Sequence, residues 1–308
     1  MRALIVTNMY PSPAHPVLGS FVRDQVEALR RIPELEVEVF AFDPGSTRAY
    51  ARAARELRAR PRRERFDVVH AHFGLTAWPA LAARGRASAV TLHGTDLAHP
   101  RSRKLTLAAL PFMDLVAAVS TPLLAALPGW ASRRRTAVLP AGVDTTRFAP
   151  IARDEARRRL GLSPGRPYLL FPADPARPEK RYDRAAEVAG GTDLLVLRDV
   201  DPAEVPLWVN ASNAVLVTSE REGFGLAALE ALACDVPVLA TDVGIAPEAL
   251  DGIEGTYCGP FDAAAWRTAL APHLDAADPR VEGRARAERY STDRMAERVV
   301  GAWRELVE

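Results

Sequence analysis

Glu222 and Glu230, two glycines and the start of a helix share one short segment, Ser219-Glu220-Arg221-Glu222-Gly223-Phe224-Gly225-Leu226-Ala227-Ala228-Leu229-Glu230. The residues before it, 213–218, are short, apolar and β-branched and read as a buried parallel strand. The residues after it, 226–234, are rich in Leu, Ala and Glu and read as a helix. The acidic, glycine-containing turn therefore falls at the C-terminal end of a strand, where open α/β sheets bind ligands. Backbone N–H groups at a helix start suit phosphate or sugar hydroxyls, and glycines let a ligand approach the main chain. Glu230 is expected about two turns into the helix, roughly 12 Å along the axis from a residue eight earlier. Paired hydrolytic carboxylates lie only about 5–9.5 Å apart across one glycosidic bond. The spacing thus fits two ends of one extended ligand better than a hydrolase pair.

Other residues offer charge or proton chemistry. The basic candidates Arg177, Lys180 and Arg181 stand in Pro172-Ala173-Asp174-Pro175-Ala176-Arg177-Pro178-Glu179-Lys180-Arg181, just after an apolar run at 168–171. His93 ends a strand in Thr91-Leu92-His93-Gly94-Thr95-Asp96, where an imidazole can polarise a hydroxyl. His70 and His72 point to one face of a strand. Their spacing is also that of metal ligands, but no third ligand cluster accompanies them, so they read as cleft lining or core. Gly19 precedes the first helix in Pro16-Val17-Leu18-Gly19-Ser20-Phe21-Val22. Asp199-Val200-Asp201 has the form of a D-x-D metal motif, but Pro202 follows and the segment reads as a loop. Arg48, Arg52, Arg55, Arg58, Arg60, Arg62, Arg63 and Arg65 form a basic run. It could bind anionic lipid or a polyanionic acceptor, or be a solvated helix face.

Alternating elements position these groups. In the first half, strands are expected at 4–6, 37–41, 68–72, 89–93, 115–119 and 136–140, with helices at 21–31 and 47–60. A turn-rich boundary follows at 140–150, and a second alternating series has strands at 168–171, 194–197, 214–218 and 237–240, ending near 255–257. Strands alternating with helices give parallel sheets covered on both faces. The last helix, about 291–307, places Met295, Val299, Ala302, Trp303 and Leu306 on one side. The domains expected are 1–150 with a returning segment 288–308, and 151–287.

The 308 residues suffice for two domains, and 48% apolar content suffices for their cores. A net charge of +1 points neither to nor away from nucleic acid, and nothing else in the chain calls for it. Lys104 and Lys180 are the only lysines, so the basic charge is almost all arginine. Cys234 and Cys258 lack metal or disulfide spacing and read as reduced, small packing residues. No signal peptide or membrane-spanning run is visible, so the expectation is a cytoplasmic protein. No G-x-G-x-x-G opens the first unit, which disfavours a nicotinamide dehydrogenase.

The string E-G-F-G-L-A-A-L-E-A-L-A, with Pro237-Val238-Leu239-Ala240-Thr241-Asp242-Val243-Gly244 and Pro247-Glu248 after it, resembles the E-x7-E motif of the retaining family 4, or group 1, glycosyltransferases. The 140–150 segment is similar to the P-x-G-V-D-x-x-x-F-x-P string that ends the first domain of that family, and His93 to Asp96 resembles its H-G-x-D segment. The resemblance implies a GT-B architecture, two Rossmann-like doubly wound domains facing across a cleft. It also implies metal-independent transfer of a hexosyl group from a nucleoside diphosphate sugar to a hydroxyl of a saccharide or lipid-linked acceptor, with no cofactor. Glu230 would bind the ribose and Glu222 the transferred sugar, and the backbone of Gly223, Phe224, Gly225 and Leu226 would line the phosphate and sugar. Lys180 matches the family lysine. The family arginine normally stands five residues earlier, where this chain has Pro175, so Arg177 or Arg181 replaces it. Gly19 would face the donor phosphate, with Gly-Ser in place of a double glycine. His93 would act at the reacting centre. A role in cell-surface polysaccharide or glycolipid synthesis, at or near the inner face of a membrane, follows by analogy. The alternatives are a sugar-nucleotide epimerase on the same architecture and a non-enzymatic sugar-nucleotide sensor.

Overall fold

The computed structural model describes all residues except Ala14, Pro16, Pro44, Arg62, Ser132 and Arg133. Arg62 of the basic run and Pro16 before Gly19 thus lie outside the described residues. The chain divides into two compact units, residues 1–142 with 292–308 and residues 143–291.

The first unit is a six-stranded parallel sheet in the order β2-β1-β3-β4-β5-β6. Its strands are β1 (Arg2–Thr7), β2 (Glu36–Ala41), β3 (Phe66–His72), β4 (Gly85–Leu92), β5 (Leu115–Ala118) and β6 (Arg135–Val138). β1, β3, β4 and β5 are apolar because helices cover both faces of a doubly wound sheet. The order reverses between β1 and β3, so the C-terminal ends of these two strands form the switch point at which such sheets take ligands. One face is covered by the helices Ser20–Arg30 and Thr292–Val307, which bury Val22, Val26, Leu29, Met295, Val299, Val300 and Trp303 over Ala3, Ile5, Val68 and Ala89. The final helix was expected from its i, i+4, i+7, i+8 pattern. What it protects includes a polar feature, His70, whose Nδ1 accepts the indole N–H of fully buried Trp303 at 2.9 Å.

The second unit has a five-stranded parallel sheet in the order β11-β10-β9-β7-β8. Its strands are β7 (Tyr168–Phe171), β8 (Asp193–Val196), β9 (Ala214–Val217), β10 (Val238–Ala240) and β11 (Tyr257–Cys258). Here the order reverses between β7 and β9, and the loops leaving those two strands carry Lys180 and Glu222. Residues 143–150, expected with the first domain, belong to this second unit. The Val143 N–H donates to the Tyr290 carbonyl, and the Arg284 guanidinium donates to the Thr145 and Phe148 carbonyls. The same ties put 288–291 here rather than in the returning segment. Cys234 and Cys258 are free thiols, and burial pushes that of Cys234 up to about 12. Among the described residues, no helix is long and apolar enough to cross a membrane.

The buried histidines of the first unit make its stability depend on pH. Enclosure lowers His72 to about 4 and holds His70 well below its usual value. The unfolded chain would protonate both near pH 6.5, so it binds more protons than the folded chain between about pH 6.5 and 4. Stability is therefore full above that window and is lost as pH falls through it, by up to about 3 kcal/mol for one group shifted this far. Thermal melts at a series of pH values should show the first unit unfolding progressively earlier below pH 6.5. A flat melting temperature down to pH 4.5 would contradict the assignment of buried neutral imidazoles.

Candidate active site

In the second unit, Glu222 stands in the loop between β9 and the helix Leu226–Ala233. Its two oxygens accept from Lys180 Nζ at 2.6 and 2.8 Å, and Oε1 also accepts from Ser219 Oγ at 2.7 Å. The side chains of Lys180 and Glu222 are only 15% and 12% exposed, so water screens the pair weakly. Several bonds hold the two loops together. Thr218 Oγ1 donates toward the carbonyls of Lys180 and Arg181, and the Glu220 N–H donates to the Glu179 carbonyl. Lys180 sits in the short turn Pro178–Lys180 that follows β7.

The helix opens on Gly225, whose φ of 97° belongs to the left-handed region and whose missing side chain leaves no cap. The orphan N–H groups at this end are available to a ligand anion. Phe224 turns its ring inward against Tyr290, and its backbone carbonyl accepts from Ile245 N–H at 2.7 Å. Gly244, at φ 60°, is required behind this loop. A Cβ there would lie 2.3 Å from the Phe224 carbonyl oxygen and 2.8 Å from Glu222 Cβ. The close fit of Gly244 fixes where the Glu222 loop can lie.

One expectation changes. Glu230 was placed about two turns into the helix, but the helix begins at Leu226, so Glu230 is the fifth residue and lies just over one turn in. The glycine-rich loop, not helix, spans the rest of the interval to Glu222. Arg177, one candidate for the missing family arginine, donates to Glu179 at 2.8 and 3.0 Å rather than joining the Glu222 cluster. The other, Arg181, occupies a left-handed conformation at φ 55° and pairs with Asp183 and Glu220. Both guanidiniums are engaged by neighbouring carboxylates. The Asp199-Val200-Asp201 segment is a loop in which Asp201 Oδ1 caps the Ala203 N–H.

In the first unit, Gly19 has φ 68° and a Cβ there would stand 2.1 Å from the Met9 carbonyl oxygen, so only glycine closes this turn after β1. His93 follows β4. Asp96, fully buried, accepts from the backbone N–H groups of His93, Gly94 and Gly74 at 2.8–3.1 Å, tying the ends of β3 and β4 together. Burial pushes the Asp96 carboxyl up, while these three bonds oppose that shift. His93 Nε2 lies 3.1 Å from His72 Nδ1, and Gln25 Nε2 lies 3.2 Å from His72 Nε2. The Phe21 ring packs on His93 with centroids 5.0 Å apart. Burial first, and then the neighbouring His72, hold His93 well below its ordinary value, so it is neutral at pH 7. Both ring nitrogens of His70 and of His72 are engaged by protein groups. Among the described residues, no group of three His, Cys, Asp or Glu is placed to hold a metal ion.

Sequence reasoning missed Ser219 as a partner of Glu222, although a serine three residues before an acid in a turn was a usable signal. It also missed Gln25, for which no local signal exists, because its partner is 47 positions away.

Comparison with known proteins bears on these features. Residues 5–147 match the Glycosyltransferase Family 4 model, and residues 161–291 match the Glycosyl transferases group 1 model. The chain is 31% identical over 329 aligned residues to D-inositol 3-phosphate glycosyltransferase of Actinosynnema mirum, covering 84% of this chain and 77% of that protein. It is 30% identical to the protein of the same name from Mycolicibacterium smegmatis, over 72% of this chain and 63% of that one. Among solved structures, sucrose-phosphate synthase from Thermosynechococcus elongatus superposes with a TM-score of 0.76 at 18% identity, over 99% of both chains. Anabaena HepE in complex with UDP-glucose gives 0.70 at 15% identity, over 98% of this chain and 99% of that one. The expected fold and enzyme class hold: the chain belongs to the group 1 glycosyltransferases and has their two-domain GT-B fold.

Proposed function

We propose that the enzyme is a retaining glycosyltransferase that needs no metal, moving a hexosyl group from a nucleoside diphosphate sugar to a hydroxyl of a saccharide or lipid-linked acceptor. The observation that carries this reading is the Lys180–Glu222–Ser219 cluster beside the uncapped helix that bears Glu230. Charge grows on the diphosphate as the sugar–oxygen bond breaks. An ammonium and free helix N–H groups stabilise that charge without metal. In this reading Lys180, with Arg177 or Arg181, meets the diphosphate. Glu222 accepts from hydroxyls of the transferred sugar, and Glu230 accepts from the ribose. The backbone of Gly223, Phe224, Gly225 and Leu226 lines the stretch between them. The engagement of Glu222 by Lys180 supports a hydrogen-bonding role over that of a nucleophile, and hence a front-face reaction in which the leaving phosphate takes the acceptor proton. Gly19 and neutral His93 serve the reacting end from the first unit. The reported complex of HepE with UDP-glucose and the names of the inositol phosphate relatives support a nucleotide-sugar donor and a polyol-like acceptor.

We further propose that the enzyme works on the cytoplasmic side of a membrane, in cell-surface polysaccharide or glycolipid synthesis, touching an anionic lipid surface. Arg48, Arg52, Arg55 and Arg58 are exposed on the helix Thr47–Ala59. That helix packs against Ala77–Ala80, which carries exposed Trp78. The Trp78 indole N–H donates to the Leu105 carbonyl and its ring packs on that of Phe112, 62% exposed, while Leu105 is also exposed. Residues 97–113 add Arg101, Arg103 and Lys104 and contain no acid. Exposed aromatics flanked by cations suit the interface of an anionic bilayer.

Three outcomes are expected. Glu222→Ala should lower transfer at least about 100-fold while nucleoside diphosphate affinity changes little, whereas Glu230→Ala should weaken that affinity about 10- to 100-fold through lost ribose contacts. Titration calorimetry with nucleoside diphosphates checks both, and equal affinity in wild type and Glu230→Ala would reject the ribose role. Initial rates in excess chelator should equal those without it; a loss restored by divalent cation would count against metal-free transfer. The protein should sediment with phosphatidylglycerol vesicles at low salt, less at high salt, and less after Leu105→Ser with Phe112→Ser. Failure to bind such vesicles at low salt would remove the membrane part of the proposal.

A further inference from the structure

Hydrogen-bond direction can be followed through the histidines of the first unit, because some partners can only donate. An indole N–H has no acceptor, so Trp303 requires His70 Nδ1 to be bare. His70 Nε2 then carries the proton and donates to Thr91 Oγ1 at 2.7 Å. A second line runs in parallel. The amide nitrogen of Gln25 can only donate, so His72 Nε2 accepts. The remaining proton of His72 therefore sits on Nδ1 and points at His93 Nε2, 3.1 Å away. His93 Nε2 must accept, and the proton of this neutral imidazole is left on Nδ1. The rings are also crowded together, with centroids of His70 and His72 4.9 Å apart and of His72 and His93 5.3 Å apart, so none turns freely. The helix Ser20–Arg30 holds His93 twice. Phe21 packs on its ring, and Gln25, one turn later, addresses it through His72.

We propose that Gln25 is a positioning residue: through His72 it fixes His93 in the Nδ1–H tautomer, so that His93 offers substrate a hydrogen-bond donor rather than an acceptor. The functional half of this rests on the reading that His93 meets a hydroxyl or oxygen of the reacting sugar. The tautomer half does not, since it concerns the free protein. A donor at that place polarises an oxygen as charge builds on it, which an acceptor cannot do. The arrangement also explains a polar glutamine on the buried side of an amphipathic helix, where an apolar residue would pack as well.

The test uses the full chain labelled with 15N-histidine at neutral pH, without ligand, read by long-range proton–nitrogen correlation. In wild type, His93 should show a bare Nε2 and a protonated Nδ1. A protonated Nε2 would overturn the proposal without any variant. In Gln25→Met, which keeps length and removes the donor, His93 should become a mixture of tautomers. His70 should keep its protonated Nε2, which also reports that the unit is folded. Trp303→Phe should do the reverse, releasing His70 and leaving His93 as it was. With the donor and acceptor in hand, Gln25→Met should lower kcat about fivefold, in proportion to the competent fraction, with KM for the donor within about twofold. An unchanged His93 in Gln25→Met would refute the positioning role. A shifted tautomer with unchanged kcat would instead refute the contact of His93 with the reacting sugar, which is the reading beneath it.

Discussion

Lys180 and Glu222 lie 42 positions apart in sequence, yet the ammonium meets both carboxylate oxygens within 2.8 Å in a place that water scarcely reaches. A pair so enclosed is costly to break one side at a time, because the survivor is left as a charge without a partner. The surrounding structure is arranged to hold it. The sheet order reverses between β7 and β9, which opens room at their C-terminal ends, and each strand sends one of the two residues into that room. Thr218 bonds back to the Lys180 turn, Ser219 bonds forward to Glu222, and Gly244 is bare because Glu222 and Phe224 fill the space its side chain would need. These contacts hold the ammonium and the carboxylate in one place at the ends of the two strands.

The first unit handles polarity by the opposite means. Its imidazoles are uncharged, held so by enclosure and by each other, and both nitrogens of His70 and of His72, with Nε2 of His93, are occupied by Trp303, Thr91, Gln25 and one another. Neutral groups linked in a defined direction tolerate burial, since each donor finds an acceptor. The cost appears at low pH, when the unfolded chain can take up protons that the folded one cannot.

Much of the fold was legible because it depends on local pattern. The strand at 168–171 has the bounds expected of it, and the Leu226–Ala233 helix starts where glycine gives way to Leu and Ala. The Glu222 loop was legible for the same reason: its glycines, acids and flanking elements are adjacent in sequence. Depth along the helix was misread: about two turns were expected for Glu230, but only four residues separate it from the helix start at Leu226. Contacts at long range were not legible at all. Nothing near Gln25 announces His72, 47 positions away. The exposure of Trp78 and Phe112 was equally illegible, since hydrophobicity alone does not say which side of an element faces water.

The enclosed Lys180–Glu222 pair and the neutral imidazoles of the first unit suit different chemistry. A diphosphate is recognised best by fixed cations and free N–H groups. A neutral imidazole such as His93 instead has an N–H suited to an oxygen of lower charge. Such a group can strengthen its bond as charge develops in the transition state without binding the resting phosphate, and only the interactions that strengthen in this way speed the reaction. The Lys180–Glu222 pair and the depressed histidines are therefore two separate electrostatic arrangements, one an enclosed ion pair and the other a set of uncharged, hydrogen-bonded rings.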